Sequence, residues 1–143
     1  GGNRMKCFRL HIYAADRVFF EGDCTSLIVP TVYGQYGVQA HHANLIAALV
    51  PGLLTFRCPD VPERLAAVSA GMIKIEDNDV LVLVDAAERP EDIDALRAQR
   101  AADEAREQLL QKKSREEYKL AQATLARALN RLRAKDHQHM IGR

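Results

Sequence analysis

The sequence predicts a two-part fold: an all-β sandwich as the N-terminal domain and an antiparallel α-helical hairpin at the C-terminus. Up to about residue 87, short β-prone runs are separated by glycine, proline and acidic turns, a pattern typical of a sandwich. From about residue 88, alanine, leucine and charged residues recur at helical spacing. The change in periodicity therefore divides the chain into a sheet part and a helical part.

Seven strands are predicted in the first part. Phe8, Leu10 and Ile12 alternate with Arg9 and His11, which gives the first strand one buried face and one solvated face. The acidic turn at residues 76–79 closes a hairpin between the last two strands. The predicted strands are Cys7–Ala14, Arg17–Phe20, Ser26–Pro30, Leu53–Arg57, Leu65–Ala70, Met72–Glu76 and Val80–Val84.

Two helices are predicted in the second part, from about residue 90 to 111 and from about 114 to 135. Pro90 suits the first helical position, and the acidic pair Glu91 and Asp92 suits the positive end of the helix dipole. Ser114 and Glu117 form a capping box for the second helix. The apolar residues at helical spacing are Ile93, Ala98, Ala102, Ala105 and Leu109 on the first helix, and Tyr118, Ala121, Leu125, Leu129 and Leu132 on the second. Because alanine buries little apolar area, we expect the hairpin to hold together weakly.

The boundaries of the parts follow from these elements. We expect residues 1–4 to be left over from an expression vector before a natural start at Met5, residues 5–87 to form the sandwich, 88–136 the hairpin and 137–143 a tail. No apolar run approaches the roughly 20 residues that cross a bilayer, and the N-terminus lacks a signal peptide. We therefore expect a soluble, intracellular chain without direct bilayer insertion.

The cysteines and histidines predict neither a disulfide framework nor a metal site. Cys7, Cys24 and Cys58 are odd in number and lack a C-x-x-C pair, so we expect reduced thiols that mostly serve packing. The five histidines do not form a metal-ligand pattern either. The chain also lacks a Walker A loop and a nucleophile elbow, so we expect no catalytic residues.

Charge is unevenly distributed along the chain. From Lys119 onward, six basic residues stand against one acidic residue. A basic terminal helix favours an anionic partner, which the charge alone leaves open as nucleic acid, a nucleotide or an acidic protein surface. Nucleic-acid binders commonly interleave aromatic residues with basic ones, whereas this helix carries only Tyr118.

A set of turn motifs resembles those of one family. Pro30, Thr31, Gly34 and Gly37 match a P-T-x-x-G-x-x-G-like turn, and the next segment and a later S-G-G-like turn match at His42, Ala43, Leu45, Ser69, Ala70 and Gly71. The chain is thereby similar to the ε subunits of bacterial F-type ATP synthases over roughly residues 5–136. It departs from the pattern at Gln35, which replaces a glutamate, at Ala40 and Asn44, which replace prolines, and at His41, which replaces a glycine.

The resemblance implies a non-catalytic rotor subunit of the central stalk that couples proton translocation to ATP synthesis. It implies contacts of Gln35, Tyr36 and His42 with the γ subunit and the c-ring. The hairpin would fold against the sandwich, or extend along γ so that its basic second helix reaches the α and β catalytic subunits and inhibits ATP hydrolysis. The isolated subunit is expected to be a monomer without a required cofactor. Its complex would place it peripherally on the cytoplasmic face of the bacterial inner membrane.

The resemblance also implies a regulatory ATP site. Ile93, Asp94, Arg97 and Ala98 match the family's I/L-D-x-x-R-A motif in register, and Glu88, Arg127 and Arg131 match the residues that complete it. ATP would then stabilise the folded hairpin. The alternative is a rotor subunit without a functional ATP site, in which Asp94 and Arg97 form only a local pair. A free-standing nucleotide-binding module and a nucleic-acid binder explain less of the sequence.

Overall fold

A computed structural model describes residues 6–111 and 114–141. The chain divides into two compact units between Glu88 and Arg89. This division lies within one residue of the predicted domain boundary. The expected vector remnant at residues 1–4, the start at Met5 and the predicted break between the helices at residues 112 and 113 lie outside the described residues.

The first unit is a sandwich of two five-stranded sheets, which confirms the predicted all-β fold. One sheet has the order β2-β1-β9-β8-β5 and the other β10-β7-β6-β3-β4. β1 and β9 pair in parallel, and the other paired strands are antiparallel. The strands are β1 Phe8–Ala14, β2 Arg17–Cys24, β3 Ser26–Thr31, β4 Gly34–Gln39, β5 Leu45–Leu49, β6 Gly52–Arg57, β7 Arg64–Val68, β8 Gly71–Glu76, β9 Asp79–Val84 and β10 Ala87–Glu88.

The core lies between the two sheets. Phe8, Leu10 and Ile12 of β1 are fully buried, whereas Arg9 is exposed and His11 half-buried, so the predicted alternation is confirmed. The predicted hairpin at residues 76–79 is also confirmed, because Glu76 pairs with Asp79 across a two-residue loop. Both loop residues have positive φ, 51° at Asp77 and 67° at Asn78, as a type I′ turn requires.

Three strands were not predicted: β4, β5 and β10. β4 contains two glycines and a single fully buried side chain, Val38, so its apolar pattern is weak. β5 includes two alanines, which have low β-propensity, and β10 is only two residues long. All three lie in a sheet because a neighbouring strand pairs with them, which local composition does not reveal.

The turn at Ser69, Ala70 and Gly71 has a steric reason for its glycine. The hydroxyl of Ser69 accepts a hydrogen bond from the backbone N–H of Ala86 at 3.0 Å, which ties this turn to the end of β9. A Cβ on Gly71 would lie 2.0 Å from the carbonyl oxygen of Leu83. The close approach of the two backbones therefore requires glycine at this position.

The second unit contains a 3-10 turn and two helices. The turn spans Pro90–Asp92, α1 spans Ala95–Leu110 and α2 spans Arg115–Ile141. The predicted start of the first helix is partly wrong, because the backbone is extended at Ile93 and α1 begins only after Asp94. The predicted tail is also wrong in its first part, since α2 continues through residues 137–141. Its last two residues lie outside the described chain.

The two helices pack on each other, and α2 also contacts the 3-10 turn that precedes α1. With the short connection between them, these contacts correspond to the predicted antiparallel hairpin. Ser114 caps α2 as predicted, because its hydroxyl accepts the backbone N–H of Glu117 at 3.2 Å. No helix within the described residues is long and apolar enough to cross a membrane.

The buried residues of the hairpin are mostly alanines. Ala98, Ala102 and Ala105 are buried on α1, as predicted, and Leu109 is half-buried. On α2 the prediction is correct only in part, because Tyr118 is exposed and the predicted leucines are half-buried. Over residues 115–138 of α2, where side-chain burial is described, the fully buried residues are Ala121, Ala128, Asn130 and Ala134.

Candidate functional site

The loop after β4 brings together two of the three predicted rotor contacts. The hydroxyl of Tyr36 lies 2.6 Å from Nε2 of His42, and the two rings meet edge to face with centroids 5.5 Å apart. Nδ1 of His42 lies 2.7 Å from the carbonyl oxygen of Ala43. A carbonyl only accepts hydrogen bonds, so Nδ1 carries a proton, and in the neutral ring Nε2 accepts from Tyr36. Gln35 on β4 is exposed.

Two asparagines hold this loop against the β8–β9 hairpin, and the sequence did not identify them as functional. Oδ1 of Asn78 accepts the backbone N–H of His41 at 2.6 Å, and its Nδ2 donates to the carbonyl oxygen of Cys7 at 2.9 Å. Oδ1 of Asn44 accepts the backbone N–H of Asp77 at 3.0 Å. The signal available in the sequence was Asn44 itself, since a proline at that position cannot accept this bond.

His41 shows what its departure from the family pattern costs. Its φ is 63°, in the left-handed region that glycine adopts without strain and that other L-residues enter at a cost of roughly 1–2 kcal/mol. The hydrogen bond from its backbone N–H to Asn78 offsets part of this cost. The loop thus keeps a glycine-like conformation with a histidine in place.

The tip of the β3–β4 hairpin exposes apolar side chains. Val32 retains 73% of its accessible surface and Tyr33 is fully exposed. The hydroxyl of Thr31 donates to the carbonyl oxygen of Gly34 at 2.7 Å and shapes the turn, in which Gly34 has a φ of 110°. Single exposed apolar residues are common, but two at one hairpin tip are suited to a protein contact.

In the second unit, Asp94 is the N-cap of α1. Its Oδ1 accepts the backbone N–H of Arg97 at 3.1 Å. The pair was predicted either to bind nucleotide or to form an intrahelical ion pair. Among the ion pairs of the described residues, none joins the Asp94 carboxylate to the Arg97 guanidinium. The D-x-x-R spacing therefore already has a local structural use, the cap.

The arginines of the motif are divided between the two helices, with Arg97 on α1 and Arg127 and Arg131 on α2. Arg127 and Arg131 are four residues apart and therefore lie on one face of α2. Arg97 and Arg127 are exposed and Arg131 is half-buried. The Arg127 guanidinium lies 3.4 Å from the hydroxyl of Thr124.

The remaining motif residues are less accessible. Ile93 and Ala98 belong to the motif that the resemblance assigns to the ATP site. Both side chains are buried, with 4% and 1% of their surface exposed, so neither is accessible to an adenine base. A base would reach them only after a rearrangement. Glu88 is half-buried in β10 of the first unit. The structure thus leaves Asp94, Arg97 and Arg127 exposed on the hairpin but buries Ile93 and Ala98.

Comparison with known proteins covers both units. The family profile of the ATP synthase delta/epsilon chain β-sandwich domain matches residues 7–90, and that of the long α-helix domain of the same chain matches residues 91–136. An ATP synthase epsilon chain from Ruminococcus albus is 40% identical over 129 residues, covering 90% of this chain and 96% of the relative. One from Caldanaerobacter subterraneus subsp. tengcongensis is 40% identical over 137 residues, covering 94% and 99%.

Two solved structures share the fold. A chain of the Euglena gracilis mitochondrial ATP synthase, from a structure of OSCP/F1/c-ring in rotational state 1, has a TM-score of 0.75 at 20% identity, covering 84% of this chain and 76% of the other. A chain of the Tetrahymena thermophila mitochondrial ATP synthase central stalk/c-ring has a TM-score of 0.61 at 12% identity, covering 89% and 95%.

Proposed function

This chain belongs to the ATP synthase delta/epsilon chain family, and we propose that it is a regulatory rotor subunit that couples proton translocation to ATP synthesis. The observation that carries the proposal is the match of both units, the sandwich and the hairpin, to ε chains over nearly the full length. The sandwich binds the γ subunit and the c-ring. The complex sits on the bacterial inner membrane, and this subunit is peripheral on the cytoplasmic face.

The loop after β4 and the β3–β4 hairpin supply the rotor contact in this proposal. Tyr36 and His42 are already joined by a hydrogen bond, and Asn78 fixes the backbone of the loop between them and β5. Preorganised side chains lose little conformational entropy on binding, which favours a permanent contact. The exposed tip residues Val32 and Tyr33 extend the same hairpin with apolar surface.

The second helix supplies the inhibitory contact. The basic side chains of α2 that would meet an acidic loop of the catalytic β subunit are mostly exposed: Arg115, Lys119, Arg127, Arg131, Arg133 and Lys135. A helix whose charged side chains are mostly basic from Lys119 onward favours association with an acidic surface. Inhibition by this helix should therefore weaken as the salt concentration rises.

ATP acts as a regulatory ligand at the base of the hairpin. The guanidinium groups of Arg97, Arg127 and Arg131 present forked donors suited to phosphate oxygens, and Arg127 and Arg131 lie on one face of α2. Glu88 would accept from the amino group of adenine or from ribose. A ligand that binds only the closed hairpin stabilises it by RT ln(1 + [ATP]/Kd), about 2.7 kcal/mol at a hundredfold excess over Kd.

Isothermal titration of the full chain with ATP tests this site. Saturable binding is expected, with loss in Arg97→Ala and Arg127→Ala and retention in Arg115→Ala, an exposed arginine of the same helix outside the motif. Asp94→Asn keeps an oxygen that can accept the Arg97 N–H, so the helix cap remains. A change in ATP binding in this variant would therefore report on a contact of the carboxylate with the ligand. Absence of heat at millimolar ATP would favour the second candidate, a rotor subunit without a functional ATP site, to which the burial of Ile93 and Ala98 points.

Hydrolysis by the reconstituted complex tests the inhibitory role. The complex with the full chain should hydrolyse ATP more slowly than one with the chain truncated after Glu88, and the difference should shrink as ATP rises. Equal rates with both forms would contradict inhibition by the hairpin. A constant difference at all ATP concentrations would contradict only the ATP sensor.

A further inference from the structure

Two thiols meet at a corner of the sandwich. Cys24 ends β2, where the chain passes from one sheet to the other, and Cys58 directly follows β6. Their sulfur atoms are 3.5 Å apart. The backbone beside them is fixed, because the N–H of Thr25 donates to the carbonyl oxygen of Arg57 at 2.8 Å and Ser26 pairs with Arg57 in the sheet. The sheet itself therefore holds the two thiols together.

The two sulfur atoms are in van der Waals contact. A disulfide requires about 2.05 Å between the sulfurs, so they need to approach by ~1.5 Å. Packing alone does not require two thiols to face each other. The third cysteine, Cys7, directly precedes Phe8, which pairs with Cys24 across β1 and β2, so a link through Cys7 is the alternative that the test must distinguish. The pair could not be predicted from the sequence, because 33 residues separate its members.

The two thiols differ in access. Cys24 has no exposed surface, and its burial raises the pKa of its thiol, which keeps it protonated and unreactive toward solutes. Cys58 is half-buried and borders the core. Cys58 is therefore the more accessible of the two thiols to an oxidant, and the sulfur of Cys24 is in contact with it.

We propose that Cys24 and Cys58 form a redox modification site that closes to an intramolecular disulfide when the chain meets a peroxide. The Cys58 thiol loses its proton and its sulfur attacks one peroxide oxygen; the O–O bond breaks, and the departing hydroxide takes up a proton, which leaves a sulfenic acid and water. The Cys24 thiol then gives its proton to the departing hydroxyl group of the sulfenic acid as its sulfur attacks the Cys58 sulfur, so the S–O bond breaks and a second water leaves. Two thiols are oxidised and one peroxide is reduced to two waters. The bond would tie the β2–β3 corner to the end of β6.

Treatment of the full chain with hydrogen peroxide tests the site. Expected results are a Cys24–Cys58 peptide link in mass mapping, loss of two of the three free thiols, and recovery of both with dithiothreitol. Because the bond closes a long loop, the oxidised chain should melt ~10 °C or more above the reduced chain. Cys7→Ala should retain the link, and Cys58→Ser should abolish it.

A second variant guards against misfolding as an explanation. Cys24→Ala leaves Cys58 without its partner, so peroxide should give a sulfenic acid on Cys58 that dimedone traps, whereas the parent chain gives little adduct. Three thiols that stay reduced in the folded chain would overturn the proposal. Irreversible oxidation of Cys58 in the parent chain, or a link that includes Cys7, would overturn it as well.

Discussion

Replacement of Asn78 by glycine should destabilise the sandwich although glycine suits its backbone. The φ of Asn78 is 67°, which glycine adopts freely. The substitution removes two side-chain hydrogen bonds, to the backbone N–H of His41 at 2.6 Å and to the carbonyl oxygen of Cys7 at 2.9 Å. The substitution therefore measures how much these two hydrogen bonds contribute to stability, separately from any backbone strain in the turn.

The magnitude follows from these two bonds. Each contributes about 0.5–1.5 kcal/mol, so their loss costs ~1–3 kcal/mol. Asparagine tolerates the left-handed region better than most residues, so little strain is relieved, and the added entropy of glycine in the unfolded chain costs a further ~0.4–1 kcal/mol. For a unit of this size, 1 kcal/mol shifts Tm by roughly 4–8 °C. We expect Asn78→Gly to lower Tm by about 15 °C.

Asp77→Gly is the matched control. It lies in the same turn with a φ of 51°, and its hydrogen bond to Oδ1 of Asn44 in the loop uses its backbone N–H, which glycine keeps. Thermal unfolding of the full chain, followed by near-UV circular dichroism, compares the two variants. Asn78→Asp keeps the acceptor but loses the donor to Cys7, so its Tm should lie between those of Asn78→Gly and the parent. Equal Tm values for Asn78→Gly and Asp77→Gly would refute the assignment of Asn78 as the anchor of the loop.

Three further substitutions test the fold. Gly71→Ala places a Cβ 2.0 Å from a backbone carbonyl oxygen, so it should lower the free energy of unfolding by several kcal/mol, about the upper range for single mutations. The control is Gly37→Ala, whose Cβ would meet nothing within 4 Å and which should change Tm little. Ala128→Gly should destabilise the hairpin by ~1.5–2 kcal/mol, because it lowers the helix propensity and removes a buried methyl group. Its control is Ala123→Gly at an exposed position, which should cost only the difference in helix propensity, about 1 kcal/mol. Denaturant titrations followed by far-UV circular dichroism compare the two variants. A hydrogen bond from the Tyr13 hydroxyl lowers the pKa of Glu21 below its ordinary value of 4.5. This carboxylate therefore stabilises the fold above that pH, and its contribution is lost as the pH falls through the lowered pKa. Glu21→Gln should flatten the acid limb of the Tm-against-pH curve, and an unchanged limb would contradict the interaction.

The periodicity of apolar residues predicted the elements whose formation depends on their own residues. β1, β3, β6, β8 and β9 were found within one residue at each end because each carries alternating or continuous apolar side chains. β4, β5 and β10 were missed because their pairing partners, rather than their composition, place them in a sheet. The start of α1 was placed too early because Pro90 and two acidic residues form a separate 3-10 turn, and the choice between that turn and an α-helix depends on packing.

The candidate site divides in the same way. The motif register of Asp94 and Arg97 and the alanines of α1 could be predicted, since spacing along one helix determines them. The burial of Ile93 and Ala98 and the anchoring role of Asn78 could not, because they depend on which distant segments come into contact. Cys24 and Cys58 are a further case, since only the pairing of β3 with β6 brings them together.

The composition of the hairpin determines how much control a ligand can exert over it. Six of the seven fully buried side chains that α1 and α2 contribute within the described residues are alanines, and each buried methyl stabilises by about 0.8 kcal/mol. ATP at a hundredfold excess over Kd would add about 2.7 kcal/mol, the equivalent of three or four of these methyls. A leucine-rich seam would be too stable for a contribution of this size to decide its state. An alanine seam therefore suits a hairpin whose closed form depends on a bound nucleotide, and the same seam would leave the hairpin open to a competing protein surface when ATP is scarce.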